Sequence, residues 1–398
     1  MKKRSILAAL VVAALVLSPV VWARQKPAAA PKAPAAAGKA PKPLIPLSLE
    51  NRAMMGIRSA TQFLLSSQKA DGSWAGDPAI TALVAYSMML DPVYLPNKKA
   101  QASLQKALDL IASQFQADGS IARKGETCYT MSVCLMALAE SNQKKYQPII
   151  AKAKAHLIGL QFDEAENIGR DNPYYGGVGY GSSGRPDMSN TMFALTAIRT
   201  AEAYEARFAG VVPSKDAMEK DERELGLHWQ KALVFLARCQ NAKGTNDQAY
   251  ATDDGGFMYE TGTYRRERSH SYGSMTYAGV MSLLWARVGK DDARVKKAVA
   301  WIKSNYTVEF NPGFGTDSLY YYYYIFAKSL DTLGEDVIVD AVGQSHRWRE
   351  DLVNQLMTLQ KSDGSWQNPS NRYWENMKEL ATAYSVIAMK YALRHQAV

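Results

Sequence analysis

The chain has 398 residues, of which 47 are Lys or Arg and 38 are Asp or Glu, giving a formal net charge of +9. Residues 1–42 hold eight of the basic residues and none of the acidic ones, which leaves 39 against 38 in the remainder. The basic character therefore belongs to the N-terminal end, which argues against a nucleic-acid-binding surface on the folded part. Three cysteines are too few for a disulfide framework.

Two N-terminal segments are not expected to join the fold. Residues 1–23 start with three basic residues, continue as an apolar run and end on Val21-Trp22-Ala23, which is the pattern of a secretory signal peptide. The alternative is an uncleaved membrane anchor, although the run is shorter than the ~20 residues that a span needs. Residues 24–47 are mostly Ala, Pro and Lys, a composition typical of an extended linker. We expect an exported protein, periplasmic or secreted, whose N-terminal tether lies near the membrane surface if the leader is retained.

From residue 48 onward, amphipathic segments alternate with segments that are apolar nearly all round. The amphipathic segments carry one apolar stripe at helical spacing, and they span residues 48–67, 100–114, 146–160, 227–240, 292–305 and 346–360. The apolar segments span residues 78–90, 127–139, 188–204, 272–287, 317–330 and 375–393. This alternation predicts six helical hairpins, each with one half-exposed outer helix and one buried inner helix.

A glycine turn joins the two helices of each hairpin. The heptad Gln-Lys-Ala-Asp-Gly-Ser-Trp at residues 68–74 returns almost unchanged at residues 360–366, and weaker copies lie between them. Such self-similarity indicates an internal repeat. Glycine tolerates the positive φ of a tight reversal, so we expect pivots at Gly72, Gly119, Gly177, Gly256, Gly315 and Gly364. A Thr recurs near the start of five inner segments, at Thr81, Thr130, Thr191, Thr276 and Thr382.

These turns resemble the Gln-rich repeat of squalene–hopene cyclases and the related protein prenyltransferase β subunits. The resemblance covers residues 48–398 and implies the all-α fold of that superfamily, an α/α toroid with six inner and six outer helices. It is specific for the fold and not for an activity. Another toroid family, such as a polysaccharide lyase or a glycosidase, remains the alternative.

The segment from Asp187 to Thr191 is similar to the acidic motif with which squalene–hopene cyclases protonate their substrate. Asp187 and Thr191 match the first and last positions, whereas Ser189 and Asn190 stand where the family has carboxylates. A hydroxyl or an amide cannot protonate an alkene, so cyclase activity is not expected. Asp187 is the candidate acid that remains, and the alternative is that it caps the helix that follows.

Aromatic residues concentrate at the starts of the later inner segments. In a toroid these starts face the central cavity, so we expect cavity-lining or ligand-binding roles for Ser189, Asn190, Tyr272, Tyr277, Tyr320, Tyr323, Tyr324 and Trp374. Within the tyrosine run, Tyr320, Tyr323 and Tyr324 are the residues that share one helical face. The alternative for all the aromatic residues is packing between helices.

Two further groups have weaker support as sites. Glu126, Cys128 and His270 lie near the zinc-ligand positions of protein prenyltransferases, but the match is poor, and we predict no metal and no cofactor. Asp253 and Asp254 are adjacent carboxylates that resemble a solvated turn more than an acid and base pair.

The sequence therefore predicts an exported toroid that binds an apolar, isoprenoid or glycan ligand, or a partner protein, in its central cavity. The alternatives are an enzyme of altered chemistry, such as a toroidal polysaccharide lyase, and a divergent terpenoid cyclase. Whether any catalysis remains is left open by the residues alone.

Overall fold

The computed structural model describes residues 44–90, 97–121, 127–181, 185–209, 226–262 and 270–394. Within these ranges the chain forms twelve α-helices and one short antiparallel pair of strands, β1 (Ile338–Val339) and β2 (Ser345–His346). The predicted leader and most of the predicted linker lie outside the described residues. None of the described helices is long and apolar enough to span a membrane.

Six helices form an outer layer, each burying one stripe of side chains. They are α1 (Leu47–Ser67), α3 (Lys98–Ser113), α5 (Gln147–Ile158), α7 (Leu227–Cys239), α9 (Ala293–Ser304) and α11 (Trp348–Leu359). In α3 the buried residues are Ala100, Ala107, Leu108 and Ile111, which lie on one side of the helix. The opposite side carries Lys, Gln and Asp and faces water.

The other six helices form an inner layer and are buried nearly all round. They are α2 (Pro78–Met89), α4 (Thr127–Glu140), α6 (Met188–Phe208), α8 (Gly273–Trp285), α10 (Leu319–Leu333) and α12 (Lys378–Ala392). In α4 every residue from Thr130 to Ala139 is buried. The predicted outer and inner layers are confirmed.

The inner helices form a closed ring. Each contacts the next one, and α12 returns to contact α2. The outer layer closes at the same seam, where α1 contacts α11. The α/α toroid expected from the sequence is therefore the fold of the described chain.

A glutamine at the end of four outer helices ties one repeat to the next. In each case its Nε2 donates to the carbonyl oxygen of the turn glycine and to a carbonyl oxygen in the following outer helix. The glutamines are Gln68, Gln161, Gln240 and Gln360, and the outer-helix acceptors are Ser103, His228, Arg294 and Gly56. The bond from Gln360 to Gly56, 2.8 Å long, joins the last repeat to the first.

The expected pivots are correct at both complete heptads, but the third and fourth lie one residue earlier than predicted. The positive φ is at Gly176 (85°) and Gly255 (84°), whereas Gly177 and Gly256 are the residues after them. The glutamine of each repeat determines which glycine forms the turn, because Gln161 donates to the carbonyl oxygen of Gly176 and Gln240 to that of Gly255. In these Gly-Gly pairs the sequence does not show which glycine makes the turn.

The recurring Thr fastens each turn to its inner helix. Its Oγ1 accepts a hydrogen bond from the backbone N–H two residues after the turn glycine, in the pairs Thr81 with Trp74, Thr191 with Val178, Thr276 with Phe257, and Thr382 with Trp366. The two turn tryptophans are completely buried, and the indole of Trp366 donates to the carbonyl of Leu356. These hydrogen bonds thus hold the start of each of the four inner helices at the same position relative to its turn.

Candidate functional site

A cavity of about 380 Å³ lies where the inner helices begin. All six inner helices or the residues just before them contribute to its wall, through Ala79 and Ile80, Tyr129, Asn190 and Phe193, Ser274 and Met275, Tyr321, and Leu380 and Tyr384. Loops between the helices add the remaining residues, among them Tyr180, Tyr259, His270, Phe314, Tyr373, Trp374 and Glu375. The N-termini of the six inner helices meet around this space, and Asp77, Asp187 and Glu375 accept backbone N–H groups there.

Aromatic rings dominate the wall. Seven tyrosines line it together with Phe193, Phe314 and Trp374. Tyr272 stacks on Phe314 with ring centroids 4.8 Å apart, and Tyr129 meets Phe193 edge to face at the same distance. Such packing holds flat apolar faces in fixed orientations around the space.

The tyrosine hydroxyls give the same wall a polar character. Tyr129 and Tyr384 share a hydrogen bond of 2.9 Å between their hydroxyls, and so do Tyr180 and Tyr259. The hydroxyl of Tyr321 lies 3.1 Å from Ser189 Oγ. A tyrosine hydroxyl offers one donor and two acceptor positions, so these groups add hydrogen-bonding atoms to an otherwise aromatic wall.

Asp187 caps α6 and does not itself border the cavity. One carboxylate oxygen accepts the backbone N–H of Asn190 at 2.8 Å, and the other accepts the Asn190 side-chain N–H at 2.7 Å. Burial raises the pKa of Asp187 to about 6, against the lowering effect of the bonds from Asn190 and Tyr259. The capping role weighed from the sequence is therefore present, and it also orients Asn190.

Asn190 is a buried residue of the cavity wall. The carboxylate of Asp187 requires the NH₂ end of the amide to face it, so the carbonyl Oδ1 points the other way. Asn190 is only 2% exposed, and its Oδ1 has no hydrogen-bond partner among the residues that the structure describes. The Oδ1 atom is itself buried, so a ligand in the cavity does not contact it.

Glu375 is a second buried carboxylate in the wall. It accepts the backbone N–H of Tyr321 at 2.7 Å and the side-chain N–H of Asn368 at 2.8 Å. Burial raises the pKa of its carboxyl, and these hydrogen bonds oppose the increase. Because Ser318 makes no side-chain cap of its own, Glu375 supplies the cap of α10 from the loop before α12.

Strained backbone accompanies this carboxylate. Ser318, Tyr373 and Trp374 all line the cavity, and their φ values are 56°, 56° and 61°. Residues with a Cβ rarely adopt this left-handed region, and where they do, the surrounding structure must hold them there.

The predicted site residues fall into two groups. Ser189, Asn190, Tyr272 and Trp374 border the cavity. Asp187 lies directly behind Asn190, joined to it by two hydrogen bonds.

The other four predicted tyrosines do not border the cavity and require correction. Tyr277 is buried between α8 and α10, with its ring against Tyr322 and Phe326. Tyr323 donates to the carbonyl of Val308. Tyr320 packs edge to face on Tyr323, and Tyr324 stacks on Tyr384. The rotation of α10 turns Tyr321 towards the cavity instead, since tertiary packing rather than spacing fixes that rotation.

The weaker candidates have structural roles. Burial raises the pKa of the Cys128 thiol to about 12, and no group of three or more His, Cys, Asp or Glu within the described ranges could hold a metal ion. His270 lines the cavity, with Nε2 3.0 Å from the carbonyl oxygen of Gly313, whereas Glu126 lies outside the described residues. Asp254 accepts the N–H of Gly256 and the hydroxyl of Ser271, as a turn residue does.

Sequence reasoning missed Tyr129, Phe193, Tyr321, Tyr384 and Glu375. In four inner helices the recurring Thr could have indicated a residue of the cavity wall. The residue before it borders the cavity in four inner helices, as Ile80, Tyr129, Asn190 and Met275. No comparable signal marks Glu375, which comes from the loop before α12.

Fold and cavity together define an α/α toroid with a ligand-sized space at the N-terminal end of its inner ring. Solved structures share this architecture. A variant of the type II terpene cyclase MstE from Scytonema, in complex with geranylgeranyl dihydroxybenzoate, matches with a TM-score of 0.50 at 14% sequence identity, covering 87% of this chain and 98% of that one. A ligand-free variant of the same cyclase gives 0.47 at 14% identity, covering 87% and 99%. A glycosidase in complex with glucose gives 0.45 at 13% identity, covering 88% and 99%.

At these identities the likeness shows the fold alone. The chain has the α/α-toroid fold of the terpenoid-cyclase-like proteins. No protein-family model matches the sequence, and no curated protein matches it.

Proposed function

We propose that this protein binds a small carbohydrate in the cavity at the start of its inner helices. The observation that carries the proposal is a wall of ten aromatic rings, seven of which are tyrosines with a hydroxyl. Sugar rings offer both features at once, because their apolar faces stack on aromatic rings and their hydroxyls donate hydrogen bonds. The cavity volume of about 380 Å³ falls within the usual range of small-molecule sites, about 300–1,000 Å³.

An isoprenoid chain fits the same wall less well. It would displace water from the tyrosine hydroxyls without replacing their hydrogen bonds. Each polar group left unsatisfied in this way costs about 1–3 kcal/mol. The Scytonema cyclase is described in complex with a geranylgeranyl compound, so isoprenoids are the rival ligand class to be tested.

Cyclisation by protonation is not part of the proposal. Ser189 and Asn190 occupy the positions of the expected carboxylates, and Asp187 is turned away from the cavity with both oxygens bonded to Asn190. Protonating an alkene requires an acid in contact with it. We expect incubation with squalene to give no cyclic product, and a product that disappears in Asp187→Asn would contradict this.

Export is also proposed, from the residues alone. The basic start and apolar run of residues 1–23 are the pattern of a secretory leader. An exported protein would then bind its carbohydrate outside the cytoplasm.

The ligand class is tested by competition between the two candidates. The full chain is incubated with an equimolar mixture of linear oligosaccharides and polyprenols, washed, and examined by native mass spectrometry. We expect a saccharide adduct at one copy per chain, and we expect Tyr321→Phe to weaken it. Retention of a polyprenol instead would overturn the proposal, and a shortened saccharide would place the chain among toroidal hydrolases or lyases.

A further inference from the structure

The cavity has a closed floor and an exposed mouth. Its floor consists of buried side chains of the inner helices, including Phe193, Met275 and Tyr384, with relative exposures of 1%, 1% and 4%. Beneath them the inner helices pack directly on one another. A ligand can therefore enter from the mouth, but a chain cannot thread through the described floor.

Three exposed aromatic side chains line the cavity at its mouth. Tyr180, Tyr373 and Trp374 are 43%, 50% and 40% exposed, although each also forms part of the cavity wall. Large exposed aromatic groups that border a cavity are typical of binding surfaces. They extend the stacking surface of the cavity outward.

The loop that carries Tyr373 and Trp374 is held firmly. Asn368 bonds Glu375 through its backbone N–H at 2.9 Å and through its side chain at 2.8 Å. Ser370 and Arg372 both donate to the carboxylate of Asp317, at 2.7 and 2.8 Å. These bonds maintain the left-handed backbone of Tyr373 and Trp374, both of which are exposed.

We infer that the site recognises the end of a carbohydrate chain, with the terminal unit in the cavity and the preceding units on Tyr180, Tyr373 and Trp374. This inference rests on the proposed function. It follows from the geometry, because a blind cavity admits only a chain end and an aromatic mouth gives the next units a surface to stack on.

The test is the dependence of affinity on chain length. Isothermal titration of the full chain uses linear gluco-, manno- and N-acetylglucosamine oligosaccharides of one to six units, with a cyclic gluco-oligosaccharide, which has no end, beside the linear ones. We expect affinity to rise at least about tenfold between one and three units and then to level off. The cyclic compound should not bind.

Trp374→Ala, alone and with Tyr373→Ala, should reduce affinity for the trisaccharide about tenfold more than affinity for the monosaccharide. The matched control is Phe310→Ala, because Phe310 is an aromatic residue of similar exposure, 43%, that does not line the cavity. Equal affinity for all lengths, or binding of the cyclic compound, would overturn chain-end recognition while leaving the proposed function in place. Binding of no saccharide at all would overturn both.

Discussion

At the scale of single residues, the site depends on two buried carboxylates that do not act on a ligand directly. Asp187 fixes the orientation of the Asn190 amide, and Glu375 caps α10 while holding the loop that carries Trp374. Both have a raised pKa because burial disfavours their charge. Their hydrogen bonds offset part of that cost.

Asp187 should make the protein less stable as the pH rises. Its pKa is about 6 when folded and close to 3.8 when unfolded, so its favourable contribution is complete below about pH 4 and is lost as the pH passes 6. At about 1.4 kcal/mol per pKa unit, the loss relative to Asp187→Asn is about 3 kcal/mol between pH 4 and 7. Urea denaturation of both proteins across this range measures it. A difference in unfolding free energy that does not change with pH would contradict the assignment.

Glu375→Gln should destabilise the fold by about 1–3 kcal/mol, because an amide cannot accept from both Tyr321 and Asn368 without presenting its own NH₂ to one of them. The exposed Glu309 provides the control, since Glu309→Gln should change stability very little. Urea titrations of the two variants at neutral pH give the comparison. Equal stability of the two would mean that Glu375 does not cap α10.

At the scale of elements, the turns explain why the sequence could be interpreted so far. Gln68 and Gln360 each bond the turn glycine and the next outer helix, so the heptad encodes both a reversal and the contact between repeats. The helix positions could also be predicted, from the spacing of apolar residues. The apolar stripe of α3 and the apolar surface all round α4 must both be buried in the folded protein, so these patterns indicate where the helices lie.

The turn glycines also lie against the backbone of the next outer helix. A Cβ at Gly364 would lie 2.5 Å from the carbonyl oxygen of Ser59 in α1, and φ at this residue is +85°. Gly343 shares the positive φ, at +87°, but a Cβ there meets nothing within 4 Å. Both alanine variants incur the left-handed cost of about 1–2 kcal/mol, and the clash should add about 1–3 kcal/mol to Gly364→Ala alone. Thermal and urea unfolding of Gly364→Ala and Gly343→Ala measure this difference in stability. Equal stability of the two variants would mean that α1 does not lie against Gly364.

At the scale of the whole molecule, closure of the ring creates the cavity. Which side chains line it depends on contacts between helices, and these could be predicted only in part from the sequence. Asn190 was found because a motif marked it, and Tyr272 and Trp374 because they precede inner helices. Tyr321 was missed within a run of five tyrosines, since the rotation of α10 depends on its neighbours α8 and α12. Glu375 was missed because its position follows from the left-handed backbone at Tyr373 and Trp374, which no residue type in that loop indicates.

The most direct test of the account is the contribution of the Tyr321 hydroxyl to ligand affinity. Tyr321→Phe keeps an aromatic ring in the cavity wall but removes the hydroxyl beside Ser189, and Tyr320→Phe makes the same change in a neighbouring tyrosine outside the wall. Isothermal titration of the saccharide retained by the wild-type protein should show at least about a tenfold loss of affinity in Tyr321→Phe and little change in Tyr320→Phe. Unchanged saccharide affinity in a folded Tyr321→Phe protein would contradict the proposal that this cavity recognises a hydroxylated ligand.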